Sequence, residues 1–287
     1  MKACLRLLLR GYDYAVFYVG LSWFGFLCLL WTMFAVVLHP LMPSDAGRRL
    51  GRFVIMAAFR MFLCSLSISG RFRFDLKELD ALRDEHALII APNHPSLWDA
   101  VLVVSRLPDV ACIMKAEIIS NVFLGAGARL ARYIRNASLR QMISLAVTDL
   151  KRGSRILLFP EGTRTVRKPL NPLTGSIGVI ASRAKVPVQT VFIETESPFL
   201  TKGWPVYKMP PMPMSYRIRL GRRFDAPEDS GAFVAELEQY FRQELGEQAA
   251  GTPASAPAAA SPASPSSAAS SPAASSPATA PEAVTAD

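Results

Sequence analysis

The hydrophobic pattern begins with two apolar segments that differ in their charge. Residues 14–38 carry no charged side chain over 25 positions, and a helix of that length measures about 37 Å against roughly 30 Å of bilayer hydrocarbon. Residues 46–68 mix arginines with large apolar side chains, which is typical of a helix at a membrane interface whose arginines reach toward headgroups. Basic residues flank 14–38 on both sides, so charge does not assign its ends to opposite compartments. The pattern predicts an N-terminal membrane-embedded helical hairpin that either spans the bilayer or dips into one leaflet.

From about residue 72 to residue 246 the pattern becomes that of a globular α/β domain. Short apolar runs alternate with segments of helical periodicity, which predicts a mostly parallel sheet flanked by helices. The predicted strands are 87–91, 110–114, 155–159, 188–193 and 215–220. The predicted helices are 96–107, 117–132, 138–152, 175–185 and 228–246.

The end of the chain has a different composition. Of the last 40 residues, 32 are Ala, Ser or Pro, and such a segment cannot bury enough apolar area to offset the entropy cost of ordering. We therefore expect a membrane-associated helical segment at 1–70, a catalytic domain at 71–247 and a disordered tail at 248–287.

The charge of the chain indicates an anionic partner. The net charge is +9, and it is +11 for the residues before 248, because Glu282 and Asp287 are the only charged residues after that point. Anionic lipid, a phosphorylated substrate or nucleic acid would each fit the charge alone. The apolar N-terminus favours lipid, and no base-stacking or groove-reading motif supports nucleic acid.

The four cysteines and three histidines do not indicate a metal site. The cysteines show no C-x-x-C spacing, which fits a reducing compartment, and the histidines are scattered without ligand neighbours. We expect neither a disulfide framework nor a metal.

The first candidate site segment is Asn93-His94-Pro95-Ser96-Leu97-Trp98-Asp99, directly after the predicted strand 87–91. Open α/β sheets bind ligands at such strand ends. A histidine can take a hydroxyl proton near neutral pH, and a carboxylate can fix its tautomer, so His94 and Asp99 are a candidate pair. The same residues also fit a helix capping box, in which Asp99 only accepts a backbone amide.

The second candidate segment is Phe159-Pro160-Glu161-Gly162-Thr163-Arg164, which also follows an apolar strand. A glycine lets the backbone approach a ligand, and an arginine can grip a phosphate with two hydrogen bonds. The alternative is an ordinary turn with a solvated salt bridge. Because both segments follow strands of one predicted sheet, we expect them at the same edge.

The N-H-x4-D motif, followed about sixty residues later by F-P-E-G-T-R, resembles the glycerolipid acyltransferase family, whose bacterial members make phosphatidic acid from lysophosphatidic acid. The similarity extends over roughly residues 80–195, and the apolar N-terminal hairpin also resembles that of family members. The resemblance implies an O-acyltransferase of phospholipid biosynthesis in the bacterial inner membrane, with its active site facing the cytoplasm.

The resemblance also implies roles for single residues. His94 would be the general base on the acceptor hydroxyl, and Asp99 would orient it. The acceptor-binding group would be Glu161, Gly162, Thr163 and Arg164.

Two further blocks resemble the family pattern with departures. Arg135 matches a phosphate-contacting arginine, but Ile134 stands where the family has Asp. Lys115 resembles a basic position near the acceptor, with an ordinary surface lysine as the alternative. Pro187 would shape the acyl-donor side, although Thr190 stands where the family has a second proline.

The implied reaction moves a fatty acyl group from acyl-CoA or acyl carrier protein to a lysophospholipid hydroxyl, most simply that of 1-acyl-sn-glycerol 3-phosphate. No other cofactor is expected. Since no G-x-S-x-G motif is present, we expect direct attack without an acyl-enzyme, with Ser96 as a helix cap and a backbone amide near Gly162 facing the oxyanion. The departures at 134 and 190 leave open another acceptor, such as a lyso-ornithine lipid or a specialised pigment lipid. A non-catalytic membrane scaffold is the alternative from a different class.

Overall fold

The computed structural model describes residues 2–121 and 123–251, with side chains over 4–121 and 123–246. Its helices are α1 Lys2–Leu41, α2 Ser44–Ile68, α3 Asp99–Val104, α4 Ala116–Ile119, α5 Gly125–Leu130, α6 Leu139–Lys151, α7 Ser176–Ala184 and α8 Ser230–Gly251. Its strands are β1 Phe72–Asp75, β2 Ile89–Pro92, β3 Val110–Lys115, β4 Ile134–Asn136, β5 Arg155–Leu157, β6 Val188–Glu194 and β7 Met214–Phe224. A 3-10 helix covers Lys77–Leu82.

The strands form one seven-stranded sheet in the order β1-β7-β6-β2-β5-β3-β4. The five strands from β6 to β4 are parallel, β7 is antiparallel to β6, and β1 is parallel to β7. The predicted α/β fold with a mostly parallel sheet is therefore confirmed. Because β2, β5, β3 and β4 run in one direction, the segments that follow them all leave from the same edge.

Alternating side chains on each strand divide the core into two layers. Ile90 and Leu157 face the layer that α1, α2 and α3 cover, whereas Ile89 and Ile156 face the layer that α6, α7 and α8 cover. The sheet is thus buried on both faces, which explains why its central strands have continuous apolar sequences.

The N-terminal hairpin is formed by α1 and α2, and both are long and apolar enough to cross a bilayer. In the most hydrophobic 18-residue stretch of each helix, the buried share is 17% for α1 and 39% for α2. Exposure of so much apolar surface is unfavourable in water. These two helices favour membrane association of the chain.

Two of the arginines on α2 bind protein groups, so the prediction that they extend to lipid headgroups is wrong. Arg52 is 1% exposed and donates to Asp109, Asp149, Ser154 and the Ala131 carbonyl. Arg48 binds Asp109 and Ser154 beside it. Buried guanidinium groups need such partners, and sequence spacing does not reveal partners that lie far away in the chain.

The prediction of one continuous helix over 117–132 is wrong, because this region forms two short helices, α4 and α5. Gly125 marks the break, since a Cβ there would lie 2.1 Å from the Ile119 carbonyl oxygen. The residue that follows α5 also packs closely on α2. A Cβ on Gly51 would lie 2.7 Å from the Ala131 amide nitrogen.

The pattern did not predict β1 or β4. Both are short, and two of the three residues of β4 are exposed, so β4 has no apolar run. The predicted end helix 228–246 extends to Gly251 as α8. The predicted disordered tail lies outside the described residues, apart from 248–251.

Candidate active site

The two sequence motifs lie at the carboxyl ends of adjacent strands. β2 ends at Pro92 and is followed by the His94 loop, which is the segment Asn93–Asp99. β5 ends at Leu157 and is followed by the Glu161 loop, which is the segment Phe159–Thr165. Since β2 and β5 are paired in parallel, the two loops meet at one edge of the sheet, as expected from the sequence.

The His94 side chain is held by one carboxylate and one aromatic ring. Its Nδ1 lies 2.8 Å from Oδ2 of Asp99, and its ring stacks on Phe159 with centroids 3.8 Å apart. A carboxylate at Nδ1 favours the tautomer with the proton on Nδ1, which leaves the Nε2 lone pair available as a base. The arrangement therefore provides an oriented imidazole with an open basic nitrogen.

Asp99 has both roles that its sequence context suggested. Oδ2 accepts the Ser96 amide at 2.8 Å as well as the His94 ring. The Ser96 hydroxyl accepts the Trp98 amide and donates to the Phe199 carbonyl, so Ser96 caps the turn before α3. The capping turn moves the start of the predicted helix 96–107 to Asp99 and fixes the carboxylate beneath the imidazole, and the helix ends at Val104.

Burial of Asp99 changes its acidity. The residue is 0% exposed, and Oδ1 has no hydrogen-bond partner among the described residues. Desolvation raises the pKa of Asp99 from 3.8 to about 6, although hydrogen bonds from His94 and the Ser96 amide act in the opposite direction. The carboxylate thus changes charge at mildly acidic pH.

Glu161 is buried and joins the two loops. Its Oε1 accepts the His94 amide at 3.0 Å and the Thr165 hydroxyl at 2.7 Å. Its Oε2 accepts the Asn171 amide at 2.9 Å. A second link runs from the Thr165 amide to the His94 carbonyl at 2.8 Å. Because the carboxylate is used by protein donors, Glu161 acts first on the position of His94.

Gly162 and Thr163 form the tip of the Glu161 loop. Gly162 has φ +66°, a conformation that glycine adopts without steric cost, and its amide donates to the Phe159 carbonyl at 3.0 Å. The amides of Thr163 and Arg164 have no acceptor within 2–121 and 123–251. These two amides, rather than that of Gly162, are available to an anionic group.

Arg164 is half-buried and anchored at one nitrogen. Nη1 donates to the Leu200 carbonyl at 2.8 Å and to the Thr201 carbonyl at 3.0 Å. Nε and Nη2 make no hydrogen bond in the described part of the chain. The guanidinium therefore has a fixed position and unused donors, as phosphate binding requires.

The other predicted site residues are farther from His94. Lys115 ends β3, and Arg135 lies in β4 beside it, both exposed at the same edge of the sheet. At about 4.8 Å per strand they lie about 10 and 15 Å across the sheet from β2. Pro187 precedes β6, and its carbonyl accepts the Ile89 amide, so it lies at the opposite edge. The structure does not bring Pro187 together with His94.

Sequence reasoning missed three residues that hold the site. The Asn93 side chain exchanges two hydrogen bonds with the backbone of Ile193, at 2.7 and 3.1 Å. The Asn171 side chain accepts the amides of Val166 and Arg167. The Leu200 carbonyl accepts the Leu97 amide in addition to Arg164. Asn93 stood within a motif and could have been found, whereas Leu200 acts through its backbone and leaves no sequence signal.

An apolar cavity of about 510 Å³ lies beside the His94 loop. Leu97 and Trp98 of that loop line it, together with Phe199 and Leu200. The opposite wall comes from α1 and α2 and includes Phe24 and Phe62. The cavity size and lining suit a hydrocarbon chain. No grouping of His, Cys, Asp or Glu that would hold a metal ion occurs within the described residues.

Comparison with known proteins gives consistent matches. Residues 73–194 match the family model described as Acyltransferase. The 1-acyl-sn-glycerol-3-phosphate acyltransferase of Pseudomonas aeruginosa is 22% identical, over 82% of this chain and 89% of that protein. The human 1-acyl-sn-glycerol-3-phosphate acyltransferase beta is 24% identical, over 69% of this chain and 75% of that protein.

A solved structure has the same fold. The crystal structure of the 1-acyl-sn-glycerophosphate (LPA) acyltransferase PlsC from Thermotoga maritima superposes with a TM-score of 0.58 and 20% identity. The match covers 87% of this chain and 98% of that structure.

The fold, the two loops at one sheet edge and the family match together define an acyltransferase domain at residues 73–194. The chain thus contains an Acyltransferase domain, and it is similar over most of its length to 1-acyl-sn-glycerol-3-phosphate acyltransferases.

Proposed function

We propose that this acyltransferase moves a fatty acyl group from acyl-CoA or acyl carrier protein to a lysophospholipid hydroxyl. The proposed acceptor is 1-acyl-sn-glycerol 3-phosphate, and the product is phosphatidic acid. The observation that carries the proposal is the oriented His94–Asp99 pair next to an apolar cavity. A base for a hydroxyl and a chamber for hydrocarbon are the two features that acyl transfer between lipids needs.

In the proposed mechanism, Nε2 of His94 takes the proton of the acceptor hydroxyl while the oxygen attacks the thioester carbonyl. The tetrahedral intermediate then collapses, the carbon–sulfur bond breaks, and the imidazolium returns its proton to the leaving thiolate. Asp99 stabilises the charged imidazole during the transfer. The sequence offers no nucleophile elbow for an acyl-enzyme, so the acyl group passes directly to the acceptor.

The polar groups at this edge of the sheet have distinct proposed roles. The amides of Thr163 and Arg164 stabilise the oxyanion, and the unused nitrogens of Arg164 bind the acceptor phosphate. Lys115 and Arg135 extend this basic edge toward the donor or the headgroup. Glu161 and Gly162 support the loop. No cofactor beyond the donor thioester and no metal enters the proposed reaction.

The proposed location is the inner membrane of a bacterium, with the sheet edge on the cytoplasmic side, where acyl thioesters are made. The exposed apolar face of α1 supports contact with lipid. The +11 charge of the residues before 248 supports anionic substrates.

The two departures from the family pattern do not favour a different acceptor. Thr190 is 0% exposed, and its hydroxyl donates to the Arg222 carbonyl at 2.7 Å. Ile134 is 2% exposed and packs in the layer under α6. Both side chains are core positions, which supports the glycerophosphate acceptor as the proposed one.

The test is acylation of a panel of lysolipids by purified enzyme, with thiol release and product identity as readouts. We expect label from the thioester to enter phosphatidic acid. Thiol release with transfer only to a lipid without a glycerophosphate headgroup would replace the acceptor and retain the chemistry. Lack of transfer to every acceptor, with vesicle binding intact, would support the scaffold alternative.

We expect activity to decline below about pH 6. The carboxylate of Asp99 must be ionised to hold the His94 proton on Nδ1, and its pKa is raised to about 6, so the competent form is lost as pH falls through that value. The measurement is kcat/KM between pH 5 and 8, a range around that pKa. Asp99→Asn should lower kcat/KM and remove the dependence on this carboxyl. An unchanged acidic limb in that variant would contradict the assignment.

A further inference from the structure

The loop between β6 and β7 contains an ordered double turn at residues 201–208. The Trp204 amide donates to the Thr201 carbonyl at 3.0 Å, and the Lys208 amide donates to the Pro205 carbonyl at 3.0 Å. The Trp204 indole donates to the Lys208 carbonyl at 2.9 Å, and the Lys208 ammonium lies 4.8 Å from the Trp204 ring. The loop therefore has a defined shape of its own.

This double turn presents apolar side chains outward. Tyr207 is 73% exposed and Val206 is 48% exposed. Lys202 and Lys208 are exposed on either side of them. Exposed apolar residues at the tip of an ordered loop are unfavourable in water. With lysines at its flanks, such a loop suits a bilayer interface, where anionic headgroups lie above the hydrocarbon.

The double turn is continuous with the exposed face of α1. The Tyr18 hydroxyl donates to the Tyr207 carbonyl at 3.2 Å, and Tyr18 stacks with Tyr14 one turn earlier, at 6.3 Å between ring centroids. At the base of the loop, Phe199 packs edge-on against Phe17 at 5.6 Å. Tyr14, Phe17, Tyr18 and Phe199 thus form an aromatic cluster shared by two distant segments, and aromatic clusters are typical of the headgroup level of a bilayer.

We propose that residues 201–208 are a second membrane contact, in which Val206 and Tyr207 insert at the bilayer interface and Lys202 and Lys208 meet anionic headgroups. The occupant of this surface is the same bilayer that α1 contacts, because both segments present apolar side chains at one continuous patch.

The contact lies at the opening of the apolar cavity. Leu97, Phe123 and Val206 line the cavity and are also 44 to 48% exposed, so they mark its mouth. The same loop supplies the Leu200 carbonyl that holds Arg164. If the proposed function holds, a lysolipid passes from the bilayer through the mouth of the cavity to His94 without entering water. The membrane contact itself does not depend on that reaction.

The test uses the full chain in vesicles of phosphatidylcholine containing phosphatidylglycerol. Cys4 and Cys64 are the exposed cysteines among those described and are first changed to serine. A single cysteine is then placed by Tyr207→Cys and labelled with an environment-sensitive fluorophore. Val19→Cys on α1 is the membrane reference, and Leu145→Cys on α6 is the matched control, because Leu145 is 44% exposed on the opposite layer.

We expect nitroxide-labelled lipid to quench the fluorophore at 207 as strongly as at 19, and several-fold more than at 145. Aqueous iodide should quench in the reverse order. Lipid quenching at 19 with only iodide quenching at 207 would overturn the proposal, while leaving the proposed reaction intact. Equal lipid quenching at 207 with and without phosphatidylglycerol would overturn the role of the lysines.

Discussion

Replacing His94 by alanine is expected to lower kcat/KM for acyl transfer about 10²- to 10⁴-fold, the range that a positioned general base contributes. The change removes Nε2, the atom proposed to take the acceptor proton, and leaves the cavity and Arg164 in place. Binding of the lysolipid should therefore be almost unchanged. The measurement is thiol release with 1-acyl-sn-glycerol 3-phosphate, in parallel with a direct binding assay of the lipid.

The matched control is His86→Ala. His86 is exposed in the segment before β2, so its replacement removes an imidazole without affecting the Asp99 pair. Partial rescue of His94→Ala by added imidazole would support proton transfer as the lost function. Retention of activity within about threefold in His94→Ala, a change too small for a general base, would exclude His94 as the base and reopen the scaffold alternative.

The parts of the fold and site that were predicted correctly depend on residues that are close together in the sequence. The apolar runs gave the central strands, and His94 and Asp99 are five residues apart in one loop, so a loop-to-helix turn alone brings them within 2.8 Å. Their motif and the Glu161 loop followed predicted strands of one parallel sheet. Strand direction then placed both loops at one edge.

The parts that could not be predicted depend on backbone groups and on distant partners. Glu161 was expected to bind the acceptor, yet its nearest partners include the amide of His94, 67 residues away. Arg164 is held by carbonyls that are 36 and 37 residues away. A backbone amide or carbonyl is present at almost every position, so no residue type in the sequence indicates which one is used.

The same limit applies to α2, where arginines in an apolar segment were assigned to lipid. The position of Arg52 shows the physical difference. A guanidinium that is 1% exposed cannot be solvated by water or headgroups, and it must be neutralised by carboxylates supplied by the fold. Its partners come from the turns before β3 and β5 and from the end of α6, at the edge of the sheet opposite to His94.

Replacing Arg52 by methionine is expected to lower the free energy of unfolding by about 3–5 kcal/mol, because one partner of a buried ion pair is removed and the other stays. Asp149, 2.5 Å from Nη2 and 10% exposed, would lose its buried guanidinium partner. Asp109 and the Ala131 carbonyl would lose donors at 2.8 and 3.0 Å. The measurement is chemical unfolding of the detergent-solubilised enzyme.

Arg49→Met on the same helix is the matched control, since Arg49 is exposed and its replacement should change the unfolding free energy by no more than about 0.5 kcal/mol. Combining Arg52→Met with Asp149→Leu should restore part of the lost stability, because an apolar pair can replace a buried ion pair of similar volume. Equal effects of the Arg52 and Arg49 changes would show that the network does not hold α2 to the sheet. Recovery in the double variant would instead locate the cost in the stranded carboxylate, and would explain why an apolar helix carries an arginine at this position.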